Sequence, residues 1–201
     1  MKKIILASKS FDRRELFKRL GIPFETLITD IDEEKYKLNI TDPLKLVKKL
    51  AKTKALHAKE IQLKKSVDAI IIAADTTIEF KGEIIGKAND ENEAFEILKK
   101  LSGKVHNLIT GIAICQTNDP KVFIDSDITT VEFLKLSNEE IWRYIKTKEW
   151  IGRAGAYSIR DKASLFIHRI CGSSSNVIGL PMHKLYYILK NEFGFDLLQI
   201  N

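Results

Sequence analysis

The sequence predicts an α/β fold built around a twisted, mixed β-sheet. Predicted strands and helices alternate along the first half of the chain, and the run 67–74 is almost wholly apolar. Such a run is typical of a strand covered on both faces, as in a parallel sheet. The β-branched segments 106–115 and 122–134 instead look like a long antiparallel pair, joined by a turn at Asn118-Asp119-Pro120. Parallel pairing early and antiparallel pairing later imply a strongly twisted sheet flanked by helices.

Local signals place the elements in order. Helices are expected to begin at capping residues or at a proline in the first turn, and to end at glycine. Ser137 and Glu140 have the spacing of a capping box, and Lys81-Gly82 is expected to connect a short hairpin. The predicted strands are 3–7, 24–29, 67–74, 77–80, 83–85, 106–115, 122–134 and 165–170, and the predicted helices are 11–20, 43–59, 90–101, 138–146 and 181–193.

Composition places the chain among ordinary globular proteins. Its 201 residues carry a net charge of +6, with 30% charged and 44% hydrophobic residues, enough to bury a core in one domain spanning 1–201. No apolar run approaches the roughly 20 residues of a membrane span. The apolar stretch after the basic N-terminus is also too short for a signal peptide. We therefore expect a cytoplasmic protein without membrane contact.

The two cysteines, Cys115 and Cys171, are flanked by apolar or small residues. Without a secretory signal, two buried thiols are favoured over a single disulfide. The sequence contains no Cys/His spacing typical of a zinc site.

The junction between the first strand and the first helix, residues 6–14, combines hydroxyl and basic side chains. A helix N-terminus offers unpaired N–H groups and the positive end of the helix dipole, which suit a phosphate. The junction lacks the glycines of a P-loop. By itself it is therefore more typical of a serine cap followed by surface arginines.

Carboxylates follow two of the predicted strands. Asp75 comes directly after the apolar run, where ligand sites of open α/β sheets lie, and it is predicted to be a metal ligand, a general base or a cap. The run Asp30-Ile31-Asp32-Glu33-Glu34 follows the second strand, although most acidic runs are solvated loops. Mg²⁺ commonly takes one or two carboxylates plus substrate phosphate, so one carboxylate from each segment would suffice.

Two lysines follow or flank apolar segments. At about 100° per residue, Lys54 falls between Val47 and Leu50, in the buried sector of its helix. Either it points into a cleft or its stem extends along the apolar surface to water. Lys87 follows the strand 83–85 through Gly86, so it is either aimed at a site or an ordinary loop lysine.

Seven segments occur in an order that matches a known pattern: LASKSFDR at 6–13, LAKTKA at 50–55, ADT at 74–76, GK at 86–87, LSGKVH at 101–106, AGAY at 154–157 and GLP at 179–181. In this order they resemble the Maf family of nucleoside triphosphate pyrophosphatases, over nearly the whole chain. The resemblance implies an inosine-triphosphatase-like fold, with a central cleft between two lobes. It also implies hydrolysis between the α and β phosphates of a nucleoside triphosphate, giving a monophosphate and pyrophosphate.

The resemblance assigns roles residue by residue. It implies Asp75 as the proton acceptor and Glu33 as its metal partner, with Mg²⁺ or Mn²⁺ expected at these two carboxylates. The implied phosphate contacts are Ser8, Arg13, Lys54 and Lys87.

Three further positions, Asp12, Thr76 and Arg160, match those that separate the subfamilies by base. The thymidine/uridine triphosphate branch has Arg, Thr and Gln there, so only Thr76 agrees. Thr76 also argues against the branch that resembles 7-methyl-GTP pyrophosphatase. We expect Asp12 and Arg160 to face each other across the base pocket, where a planar guanidinium could bind base carbonyls.

Two alternatives come from other classes of protein. The charge of +6 and the aromatic residues among lysines could indicate a nucleic-acid-binding module, but no zinc-finger, helix-turn-helix or RNP-like motif is present, so nucleic acid is not expected as a partner. A catalytically silent regulator of cell division is a role attached to the family, and the presence of Asp75, Lys54 and Lys87 argues against it. The resemblance also implies a homodimer.

Overall fold

The computed structural model describes residues 2–199. Within them, seven strands form one mixed sheet in the order β2-β1-β3-β5-β6-β7, and β4 pairs with β3. The strands are β1 Lys3–Ala7, β2 Glu25–Thr26, β3 Ala69–Phe80, β4 Glu83–Ile85, β5 Val105–Gln116, β6 Val122–Phe133 and β7 Ile167–Cys171. The helices are α1 Phe11–Arg19, α2 Glu33–Asn39, α3 Pro43–Lys64, α4 Glu91–Leu101, α5 Asn138–Ile145, α6 Ser174–Val177 and α7 Met182–Phe193, with 3₁₀ turns at Lys162–Leu165 and Leu197–Gln199.

The chain divides into two compact units. Of the described residues, the first unit contains 2–75, Thr110–Asp127 and 179–199. The second contains Thr76–Ile109 and Ile128–Ile178. The expectation of one domain and of a cleft between lobes stays a prediction.

The first unit has an apolar core on both faces of β3. β1 and β3 are parallel and in register from Lys3 opposite Ala69 to Ala7 opposite Ala73. Because side chains alternate along a strand, Ile70 and Ile72 pack with α1 and α7, whereas Ile71 packs with the alanines of α3. This two-sided burial explains the apolar run and confirms the predicted parallel strand.

The second unit surrounds an aromatic core. The predicted hairpin is present, since β3 and β4 are antiparallel and joined by Lys81 and Gly82 at φ 53° and 84°. Phe133, Tyr157 and Phe166 make edge-to-face ring contacts in its core. The capping box of Ser137 and Glu140 is confirmed at the start of α5.

Several boundaries differ from the predictions. The predicted strand end at Asp75 is wrong: β3 continues to Phe80, because the residues that follow Asp75 pair with β4. The short helix α2 was not predicted, since none of its residues is buried and it has no apolar stripe. The second predicted strand shrinks to Glu25–Thr26, and α3 extends to Lys64.

The cysteine prediction is half correct. Both thiols are free and Cys115 is buried, but Cys171 is exposed at the end of β7, so burial was wrong for that residue. None of the helices described between residues 2 and 199 is long and apolar enough to cross a membrane.

Candidate active site

The candidate site begins where β1 ends and α1 starts. Ser10 caps α1 and its side chain accepts a hydrogen bond from the Arg13 amide. Ser8 is buried, and its Oγ accepts bonds from the Ser10 amide at 3.2 Å and from Arg13 Nη1 at 3.2 Å. Because Ser8 accepts both bonds, its own hydroxyl proton can be donated to another oxygen. The junction is thus a serine cap, as the plainer interpretation predicted, with an arginine turned inward.

Arg13 is 8% exposed and therefore not the surface arginine that the plainer interpretation expected. Its Nε donates to the Gly179 carbonyl at 2.6 Å, and its Nη1 donates to the Ala74 carbonyl at 3.0 Å. One guanidinium thereby joins α1, the residue before Asp75 and the segment that leads into α7. Its planar, forked donors suit this task better than a lysine would.

Burial lowers the pKa of Arg13, and three carboxylates oppose that effect, in the order Asp75, Glu33 and Asp12. The guanidinium still carries its charge at neutral pH, because arginine keeps its proton in proteins. Arg13 therefore places a fixed positive charge beside the acidic residues of this unit.

Lys54 lies between two carboxylates. Its Nζ is 2.6 Å from Asp75 Oδ1 and 2.8 Å from Glu33 Oε1. The Lys54 and Asp75 side chains are 11% and 13% exposed, and that of Glu33 is 33% exposed. Lys54 is buried against the two carboxylates, so the alternative of a side chain that extends to water is wrong. That Lys54 points into a cleft stays a prediction.

Three elements bring this group together. α3 carries Lys54 on the same face as its buried alanines, and a Cβ on Gly111 of β5 would lie 2.4 Å from the Val47 carbonyl oxygen, so α3 packs directly on that strand. Asp75 comes two residues after the last pair of β1 and β3, at the carboxyl end of their parallel ladder. Glu33 is the first residue of α2, whose cap is Asp32.

The two carboxylates fit a hard divalent cation such as Mg²⁺ or Mn²⁺. Glu33 Oε1 and Asp75 Oδ1 both contact the Lys54 ammonium, so the two oxygens point toward the same position. Carboxylate oxygens are the ligands that these ions prefer. Among residues 2–199, no group of three or more His, Cys, Asp or Glu side chains is placed to hold a metal. The pair therefore fits an ion that binds one or two carboxylates and completes its shell with water and phosphate.

Three of the predicted site residues lie in the second unit. Thr76 follows Asp75 within β3 and is half-buried. Lys87 is exposed, and its backbone forms an isolated antiparallel bridge with Ala154. Arg160 is half-buried, and its amide donates to Ser158 Oγ at 3.3 Å. Their place beside the carboxylates of the first unit, and the pairing of Arg160 with Asp12, stay predictions.

Sequence reasoning missed the groups that hold Arg13. The Ala74 and Gly179 carbonyls are backbone atoms, which residue types do not reveal. The GLP segment at 179–181 was part of the family pattern, but no role was predicted for it. Gly111 was missed as well, because only the packed structure shows that a side chain there would meet α3.

Comparisons with known proteins identify the family of the chain. Residues 3–192 match the family model described as Maf-like protein. A dTTP/UTP pyrophosphatase of Alkaliphilus oremlandii (strain OhILAs) is 47% identical, covering 98% of this chain and 100% of that protein. A dTTP/UTP pyrophosphatase of Clostridium novyi (strain NT) is 43% identical, covering 97% and 100%. Among solved structures, the Staphylococcus aureus Ham1 protein covers 66% of this chain and 72% of its own at 15% identity, with a TM-score of 0.41. The match over nearly the whole chain shows that this protein belongs to the Maf family.

Proposed function

We propose that the chain hydrolyses the α–β phosphate bond of nucleoside triphosphates, releasing a nucleoside monophosphate and pyrophosphate. The observation that carries this proposal is the arrangement of Asp75, Lys54 and Glu33, two carboxylates around one ammonium. Membership of the Maf family and the names of its relatives support the same activity. Phosphoryl transfer depends mainly on positioning and on neutralising charge, and this cluster offers both.

The phosphates would bind at the start of α1. The first turn of a helix presents backbone N–H groups and the positive end of the dipole, which favour anions. Ser8 can donate its hydroxyl proton there, while Arg13 and Lys54 supply positive charge from buried positions. Because Arg13 is already held by two backbone carbonyls, its charge needs little reorganisation when substrate binds.

Asp75 would accept the proton of the attacking water. A carboxylate within hydrogen-bond reach of a water can take its proton as the phosphorus–oxygen bond forms. The Lys54 ammonium at 2.6 Å fixes the orientation of Asp75 Oδ1. The Ala74 carbonyl, held by Arg13, fixes the backbone one residue earlier. The carboxylate is therefore oriented before substrate arrives.

Glu33 and Asp75 would hold the divalent cation. The two cations Lys54 and Arg13 face three carboxylates, Asp75, Glu33 and Asp12, so the group keeps one negative charge that attracts a cation. When bound, Mg²⁺ or Mn²⁺ would neutralise charge on the phosphate oxygens. The Lys54 ammonium contacts the same two oxygens, and it can turn toward the phosphates when they bind, because its stem is flexible.

Roles for residues of the second unit are proposed from the family resemblance. Lys87 is proposed as a further phosphate contact, with Thr76 and Arg160 at the base, together with Asp12 of the first unit. These assignments are supported by the order of the segments in the sequence. A homodimer is proposed from the family resemblance, and a cytoplasmic location stays a proposal as well.

Pyrimidine nucleotides are the proposed substrates, because the relatives at 47% and 43% identity are named dTTP/UTP pyrophosphatases. The test is a panel of canonical and modified nucleoside triphosphates, assayed for pyrophosphate release with Mg²⁺ or Mn²⁺ and after chelation. We expect dTTP and UTP to be the best substrates and chelation to abolish release.

The same panel separates the alternatives. Release of orthophosphate instead of pyrophosphate would contradict cleavage at the α–β bond. Inactivity toward every nucleotide, together with salt-sensitive binding to oligonucleotides, would support a nucleic-acid-binding protein instead. The Asp30→Asn variant is a matched control, since Asp30 is an exposed carboxylate of the same acidic run and its loss should leave turnover unchanged.

A further inference from the structure

The backbone of Lys87 is fixed by a loop from later in the chain. Lys87 forms an antiparallel bridge with Ala154, and the Gly155 amide donates to the Gly86 carbonyl at 2.9 Å. These contacts determine the position from which the Lys87 side chain projects. A change in the conformation of the loop 154–157 should therefore alter the backbone position of Lys87.

This loop adopts a conformation that must be held in place. Gly155 and Ala156 have φ angles of 70° and 59°, in the left-handed region, which an alanine adopts only at a cost. Gly155 also lies directly on β3, since a Cβ there would be 2.1 Å from Ile78 Cδ1. Two consecutive left-handed residues make a tight turn that neighbouring contacts must stabilise.

The next residue, Tyr157, provides such a contact. Its hydroxyl shares a hydrogen bond of 3.0 Å with His106 Nε2, and the two side chains are buried. The His106 and Tyr157 rings also meet edge to face, and both pack in the same way against Phe133. Neither His106 nor Tyr157 takes part in the mechanism proposed above.

We propose that His106 is a positioning residue for Lys87, acting through its hydrogen bond to Tyr157 and the tight turn at Gly155 and Ala156. The inference rests on the proposed function, in which Lys87 binds a phosphate of the nucleotide. His106 holds Tyr157, Tyr157 anchors the turn, and the turn pairs with the backbone of Gly86 and Lys87.

The hydrogen bond joins two neutral groups at neutral pH. Burial lowers the pKa of His106 to about 4 and raises the pKa of Tyr157 above its usual range. Neither group therefore contributes a net charge that could act on the phosphates at a distance. An effect of His106 on substrate binding must therefore depend on its contacts with Tyr157.

The test compares His106→Phe, Tyr157→Phe and the double variant, each of which keeps an aromatic ring. Two readouts are measured: hydrogen exchange of the Gly155 amide by NMR, and KM and kcat for dTTP. We expect the Gly155 amide to exchange roughly tenfold faster in both single variants, because one hydrogen bond restrains the turn. KM should rise by about threefold to tenfold with kcat little changed, since a ground-state phosphate contact is weakened.

Further variants separate positioning from general destabilisation. His106→Gln retains a side-chain amide that can donate or accept a hydrogen bond near the position of Nε2, and it should recover most of the wild-type KM. In a Lys87→Ala background, His106→Phe should raise KM no further, because the residue it positions is absent. The control His168→Gln changes an exposed histidine of the same unit and should alter neither readout.

The outcomes are distinct. Unchanged Gly155 exchange in His106→Phe would overturn the inference, as would an equal rise in KM with and without Lys87. A wild-type protein that releases no pyrophosphate would contradict the proposed function instead, and the exchange data would still decide whether His106 restrains the turn.

Discussion

Lys54 places its ammonium 2.6 Å from the Asp75 carboxylate, although the two residues lie on α3 and β3, 21 positions apart in the sequence. The same ammonium contacts Glu33. A charged lysine in a largely buried position requires such partners, since desolvation without them would be costly. The two carboxylates therefore offset the cost of burying the Lys54 charge.

Replacing Lys54 with alanine should affect both stability and catalysis. The change leaves two like-charged carboxylates facing each other in a partly buried site. We expect the free energy of unfolding to fall by about 2–3 kcal/mol, below the range for fully buried pairs because the site has some solvent access. KM should rise and kcat should fall, because the proposed phosphate contact of Lys54 forms in the ground state and strengthens in the transition state. Denaturant unfolding and steady-state kinetics measure the two effects.

The exposed neighbour Lys52→Ala is the control, and equal effects in both variants would contradict the assignment of Lys54 to the site.

The Arg13→Lys variant tests whether the forked guanidinium is needed. A single ammonium cannot reach both the Gly179 and Ala74 carbonyls with the geometry that Arg13 uses. We expect a loss of about 1–3 kcal/mol in stability, since a buried carbonyl would lose its donor. Turnover should fall at least roughly tenfold, because the backbone beside Asp75 is less well fixed. Thermal unfolding and pyrophosphate release are the measurements.

Arg14→Lys, on the same helix, is the control and should change neither stability nor turnover. Wild-type turnover in Arg13→Lys would show that the positive charge alone suffices.

The two cysteines should differ sharply in reactivity. Cys171 is exposed, whereas Cys115 is buried and its pKa is raised to about 11, chiefly by burial. Because the thiolate is the reactive form, iodoacetamide at neutral pH should label Cys171 in the native protein and Cys115 only after unfolding. Mass spectrometry of peptides after timed labelling measures this. Equal labelling of both cysteines in the native protein would contradict the packing of β5.

Burial of His106 should make the protein less stable in acid. Its folded-state pKa is about 4, below the ordinary histidine value of 6.5, so between these pH values the unfolded chain binds more protons than the folded one. Stability is therefore fully present above about pH 6.5 and falls as the pH drops toward 4. The contribution of this residue is about 3 kcal/mol over that range. Urea unfolding between pH 4 and 7 should show a shallower dependence for His106→Gln than for the wild type. The same slope in both proteins would contradict a neutral, buried His106.

The sequence predicted those elements whose signals are local. β1 and the hairpin at Lys81-Gly82 follow from an apolar run and a turn, and both are confirmed. Lys54 was singled out because its helical position lies among buried residues, and the structure places it there. α2 could not be predicted in this way, because its stability comes from the Asp32 cap and from packing on α3, with the Lys49 ammonium over the Tyr36 ring.

The candidate site was only partly predictable, for a related reason. Side chains such as Asp75 and Glu33 could be proposed from residue type and from the family resemblance. The carbonyls that bind Arg13 belong to Ala74 and Gly179, which carry no chemical signal in their side chains. Their role depends on two segments more than 100 residues apart in the sequence meeting in the folded unit.

The central claim is that Asp75 accepts a proton within the carboxylate and lysine cluster, and the Asp75→Asn variant tests it most directly. Asparagine keeps the shape but cannot take the proton, so pyrophosphate release from dTTP should fall by about 10²–10⁴-fold. The variant should still fold and bind nucleotide, because the asparagine oxygen can accept a hydrogen bond from Lys54 and Glu33 keeps its ion pair. We expect a loss of only about 1–2 kcal/mol in the free energy of unfolding, with calorimetry as the measure of nucleotide binding. Turnover within a few-fold of the wild type in a folded, nucleotide-binding Asp75→Asn protein would contradict the account.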